Sequence, residues 1–147
     1  MINLASDKLI YRPIKEIFNF ISTPENDFQW QYGILESAQI SEGAAKVGSF
    51  FRSIGHFMGR RIENTFEVTE YELNKKYGFK SHSGPMYSRT LYTFEIENGA
   101  TKINVSTQAS QVNSSLQPDG GVLEKRMKKQ LKDNLTLLKD IMEPRRA

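Results

Sequence analysis

Between Gly33 and Ala109 the chain is written almost entirely in two-residue alternation. Runs near 34–40, 47–57, 60–72, 76–83, 86–97 and 101–109 alternate apolar and polar side chains, the signature of half-buried strands. Turn signals stand between them: Ser41-Glu42-Gly43, Met58-Gly59, Leu73-Asn74, Gly84-Pro85 and Asn98-Gly99. Connections this short leave no room for crossover helices, so successive strands must be antiparallel neighbours. The opening run Ile2 to Tyr11 adds a seventh strand, and a twisted sheet of that size is large enough to curl.

Two short helices interrupt the strand pattern early. Arg12-Pro13 places proline at a helix start, ahead of Ile14, Ile17, Phe18 and Ile21 at helical spacing. Ser22-Thr23-Pro24-Glu25 opens a second, running toward Trp30. After a polar loop, Ser110 to Gln117, Pro118-Asp119 opens a long helix reaching Met142. On a helical wheel Leu123, Met127, Leu131, Leu135, Leu138, Ile141 and Met142 fall in one stripe, with Lys125, Lys128, Lys129, Lys132 and Lys139 opposite. Asn134 falls inside the apolar stripe. No repeat, linker or low-complexity tract divides the chain, so we expect one domain spanning 1–147, an α+β layout in which one curled sheet wraps one helix.

A 147-residue chain should bury roughly 68–70% of its unfolded surface, enough for one core. Cysteine is absent, which excludes disulfides, a thiol nucleophile and Cys-ligated zinc. No apolar run approaches a membrane span and no secretory h-region opens the chain, so the cytoplasm is the expected location. Net charge is +3, and the positive excess belongs to the C-terminal segment. Because Met127 and Leu131 share the sheet-facing stripe, its lysines read as a solvated helix back, and a nucleic-acid partner is not expected. The N-x-S/T triplets at Asn104, Asn113 and Asn134 carry no weight without a secretory context.

The chain resembles the START-like, Bet v 1-like (SRPBCC) superfamily with its helix-grip fold, in particular the polyketide cyclase/dehydrase and lipid-transport group. The resemblance runs over nearly the whole length. It is carried by Pro13 with Ile17-Phe18 and Ile21, Asn26 with Trp30, and Gly43 with Val47-Gly48-Ser49 and Phe51-Arg52. Gly59-Arg60, Glu70-Tyr71 with Asn74, Ser83-Gly84-Pro85 and the amphipathic terminal helix complete it. It implies a deep apolar cavity between curled sheet and long helix. It does not imply one activity, because such folds serve aromatic cyclases, lipid carriers, hormone receptors, chaperone activators and oxygenase domains alike.

Strand alternation places Phe51 and Ser53 inward, then Ile62, Asn64, Phe66 and Val68, then Tyr77, Phe79 and Ser81. The later strands add Ser88, Thr90, Tyr92 and Phe94, then Ile103, Val105 and Thr107. We expect a ligand-binding set of Trp30, Phe51, Asn64, Phe66, Phe79, Ser81, Thr90, Tyr92, Met127, Leu131, Asn134 and Leu138. For Asn64 and Asn134 two readings stand: amides satisfied within the core, or amides that orient a guest. Trp30 either packs the core or reaches the cavity. Neither His56 nor His82 has an evident partner for a metal or a triad, and no metal or cofactor is expected. Glu63, Glu67, Glu95 and Glu97 face outward and suit cross-strand charge pairs.

These residues suggest a carrier or sensor of a small hydrophobic molecule, a lipid, polyketide, isoprenoid or sterol-like compound, acting as monomer or homodimer. A polyketide cyclase or dehydratase-like enzyme is the alternative, with Tyr92 as acid, but no inward Asp, Glu or His supplies a base. A third is a protein-interaction module with a filled core, docking through the lysine face.

Overall fold

The computed structural model describes residues 1–111 and 120–143. Strand β1 (Ile2–Ile10) leads into α1 (Ile14–Ile21), a 3-10 turn at Pro24–Asn26 and the single-turn α2 (Asp27–Trp30). The meander follows as β2 (Ile34–Gln39), β3 (Phe50–Phe57), β4 (Arg60–Glu72), β5 (Lys76–Ser83), β6 (Met86–Glu97) and β7 (Ala100–Gln111), and α3 (Gly120–Met142) closes the chain. All seven strands form one antiparallel sheet in the order β1-β7-β6-β5-β4-β3-β2, curled around α3 in a helix-grip fold. The tightest hairpins turn as their residues dictate. Met58 and Gly59 (φ 52° and 80°), like Asn98 and Gly99 (φ 50° and 77°), adopt paired positive φ values that match the twist of adjoining strands.

Two local expectations are corrected. The run 47–57 does not start a strand at Val47: Gly48 has a φ of 94°, which breaks the extended backbone, and β3 begins at Phe50. Ser110 does not open a loop, because Ser110 and Gln111 still pair with Tyr87 and Met86. The rest of that expected loop, with Pro118-Asp119, lies outside the described residues. In β4 a bulge between Val68 and Glu70 shifts the alternation, so that Tyr71 rather than Glu70 turns toward the core.

The densest packing lies at one end of the sheet. Ile17, Phe18 and Ile21 of α1 are buried, and Phe18 meets Tyr71 and Phe94 edge-on at 5.4 and 5.2 Å. Leu135, Leu138 and Met142 of α3 join the same core. Ile141, in phase with Leu123 on the wheel, is nevertheless exposed. The last turn is held instead toward β1, where Lys139 Nζ donates to the Leu9 carbonyl (2.8 Å) and Glu143 accepts from the Tyr11 backbone N–H (3.1 Å). Lys139 is therefore a tether, while Lys125, Lys128 and Lys132 are exposed as a solvated helix back requires.

Candidate functional site

A cavity of about 260 Å³ lies between the concave sheet face and α3. Its aromatic side is a three-ring cluster: Phe66 and Phe79 line the space, and Phe51 sits behind them, 5.1 Å from Phe66 and 5.2 Å from Phe79. Strands β6 and β7 contribute Ser88, Thr90, Tyr92 and Thr107, and α3 contributes Met127, Leu131 and Asn134. Thr90 and Thr107 share a hydroxyl hydrogen bond of 3.1 Å across the strands. At the mouth stand Tyr32, His56, Phe57 and Gln130. A wider trough of about 640 Å³ on the opposite face is floored by outward side chains such as Ala5, Leu91, Ser106 and Gln108, and belongs to the outer surface of the sheet.

Of the twelve side chains expected to contact a guest, eight line this cavity: Asn64, Phe66, Phe79, Thr90, Tyr92, Met127, Leu131 and Asn134. Four do not. Trp30 and Leu138 are fully packed into the core, Phe51 backs the aromatic side, and Ser81 is occupied with its own hairpin, donating to the Met86 carbonyl and accepting from the Ser88 N–H.

The two interior amides have different fates. Asn134 Oδ1 accepts the Tyr32 backbone N–H (2.9 Å), while Gln130 Nε2 donates to the Tyr32 carbonyl (2.6 Å), so α3 clamps the α2–β2 connection through both backbone polar groups of one residue. Gln130 lies outside the apolar stripe and no strand or helix pattern marks it. Asn64 lies against Gly84, where any Cβ would sit 1.8 Å from its Oδ1; Gly84 also has a φ of 126°. Its amide faces the cavity with no hydrogen-bond partner among the described residues.

The sequence reading also missed an interior acid. Asp27 is buried beneath β2, the only Asp, Glu, Lys, Arg or His so enclosed among the described residues. Burial pushes its carboxyl up to about 8; the neighbouring Ser37 hydroxyl pulls the other way, and the charge of Glu25 adds to the rise. Although Ser37 lies that close, its Oγ makes no hydrogen bond of good geometry, and neither does the buried Trp30 Nε1. Tyr92 and Tyr77 both feel Asp27, and burial first, then that charge, holds both phenols well above the ordinary tyrosine range. Trp30 meets Tyr92 edge-on at 6.1 Å. One signal pointed here: Asp27 and Trp30 are three residues apart in a helical turn and so share a face. Ser37 was hidden by the bulge between Ile34 and Glu36, which sends Leu35 outward.

The outward groups pair among themselves. Arg52 meets Glu63 at 3.5 Å across strands, Lys102 lies 3.9 Å from Glu97, and His82 meets Glu67 at 2.5 Å with its ring against Phe50. His82 thus has a partner that alternation did not reveal, on the surface. Among the described residues no cluster of three His, Cys, Asp or Glu side chains gathers to hold a metal.

A family model described as activator of Hsp90 ATPase homolog 1-like protein matches residues 11–143. The chain belongs to that family. Solved structures agree on the fold at low identity. A START superfamily protein from Mycobacterium smegmatis superposes with a TM-score of 0.82 at 12% identity, covering 97% of each chain. Ginseng major latex-like protein 151 from Panax ginseng gives 0.74 at 13%, again over 97% of both. The di-domain ARO/CYC BexL of the BE-7585A biosynthetic pathway gives 0.73 at 14%, covering 95% of this chain and 46% of that one. A search of curated proteins returned no match. This family member therefore carries the START-like, Bet v 1-like architecture. None of its described helices is long and apolar enough to cross a membrane.

Proposed function

We propose that the protein binds a small, largely apolar molecule in the chamber between sheet and α3, as a carrier or sensor working in the cytoplasm as monomer or homodimer. One observation carries this reading: the chamber is walled by aromatic and aliphatic side chains with a few placed polar groups, the usual construction of a small-molecule site. Apolar burial, at about 25 cal/mol per Å² removed from water, supplies the affinity. The volume, just under the usual range for such sites, favours a compact isoprenoid, polyketide or fatty guest over a rigid sterol. An interior left partly open speaks against a pure docking module with a filled core.

The test is native mass spectrometry of freshly purified protein, together with binding of a neutral fluorescent probe. A retained or added hydrophobic molecule is expected in the wild type and not in Leu131→Trp, which fills the chamber. Equal binding by that variant would refute the assignment.

A second reading is favoured by Asp27. The cyclase-like alternative lacked an acidic group on the inner side of the sheet, and Asp27 now stands there within electrostatic reach of Tyr92, beneath the chamber rather than in its wall. Incubation with a poly-β-keto mimic decides it: new aromatic absorbance lost in both Tyr92→Phe and Asp27→Asn supports turnover, and an unchanged spectrum removes it.

A further inference from the structure

The interior polar groups are not scattered. Asn64 of β4 stands directly opposite Ser53 of β3, and Ser53 directly opposite Ser37 of β2. Ser37 in turn lies beside Asp27 of α2. Opposed residues have Cβ atoms about 5 Å apart, so the row Asn64-Ser53-Ser37-Asp27 crosses three strands on the concave side in a nearly straight line. Asn64 and Ser53 line the cavity, whereas Ser37 and Asp27 continue the row beneath it.

A concave face built only for packing would carry Ala or Val at these positions, as the flanking Phe51, Phe66 and Val68 do in kind. Instead, Ser53 and Asn64 show their polar ends to the chamber with no side-chain hydrogen bond among the described residues, and Ser37 stands behind them beside Asp27. Enclosed polar groups in this condition favour any guest that brings the missing hydrogen bond.

We propose that the chamber end of this row, Asn64 and Ser53 with Ser37 and Asp27 behind them, is a subsite for the uncharged polar end, a hydroxyl or ketone, of an otherwise apolar guest, and that it disfavours the matching carboxylate. The proposal rests on the binding reading above and adds the chemical class of the ligand. Hydroxyls and amides can donate to or accept from an alcohol or ketone. A carboxylate would bring a second acid toward Asp27, and no buried cation stands among the described residues to compensate it. Because burial keeps Asp27 protonated up to about 8, its carboxyl donates as well as accepts at neutral pH.

The experiment is displacement of the neutral probe N-phenyl-1-naphthylamine at pH 7 by 1-octanol, 2-octanone, octanoate and 1-chlorooctane, four guests of one chain length. The alcohol and ketone are expected to displace it at concentrations about tenfold below the other two, as one well-made buried hydrogen bond allows. Ser53→Ala should narrow that gap to about threefold or less, while Leu131→Ala weakens all four guests alike. Octanoate competing as well as 1-octanol, or a gap unchanged in Ser53→Ala, overturns the subsite and leaves the binding reading standing. Folded wild-type protein that takes up neither probe nor any of the four overturns both. If the serine variant fails to fold by circular dichroism, the ranking of the four guests on the wild type decides.

Discussion

The two halves of α3 carry the same apolar periodicity and do different work. In the C-terminal half, Leu135, Leu138 and Met142 are buried in the same core as Ile10, Ile17 and Phe18. Farther toward the N-terminus, Met127, Leu131 and Asn134 are only half-buried and face the chamber. The difference is set by what stands opposite. Helix α1 packs into one end of the sheet's concavity, whereas at the other end the described residues bring only α2, a single turn, and the clamped backbone of Tyr32. A uniform stripe therefore becomes a structural seam at one end and a ligand wall at the other.

That contrast can be broken by mutation. The largest effect is expected at Leu138→Ala, which should lower stability by about 2–5 kcal/mol in urea titration, since a fully enclosed leucine leaves a cavity. Leu131→Ala should cost about 1 kcal/mol, because Leu131 already borders space. Equal losses at the two sites would erase the distinction between seam and wall.

Asp27 gives the next effect, through pH. The unfolded carboxyl ionises near 3.8, whereas the folded one holds its proton to about 8. The folded state thus binds more protons between those values, so stability should fall as pH rises from about 4 to about 8 and level off above. The total is on the order of a few kcal/mol, and Asp27→Asn should flatten the curve. A wild-type curve that rises over this range in thermal melts would remove Asp27 from the interior. Smallest of all, Lys128→Glu on the exposed back should move stability by no more than about 0.5 kcal/mol, a value a chemical melt can bound.

Most strand borders, the antiparallel order and most of the inward set were legible because alternation and turn chemistry are local signals. Eight of the expected guest contacts do line the chamber for that reason. Leu138 escaped correct placement, and the choice between core and cavity for Trp30 stayed open, because periodicity reports which face is apolar and not whether that face meets atoms or space. Asp27, Ser37 and Gln130 escaped for a different reason. A bulge displaced the phase of β2, and the partners of all three lie on other elements, distant in sequence.

What the amino-acid order determined by itself was the set of elements and their facing sides, since backbone sterics and side-chain period act over a few residues. What only the tertiary structure decided was where the concavity is filled, which amide becomes a clamp and which stays open, and that four polar side chains from β4, β3, β2 and α2 fall into one row. Those outcomes depend on strand register and on the sheet's curl around α3, both set by long-range packing rather than by any local stretch of chain.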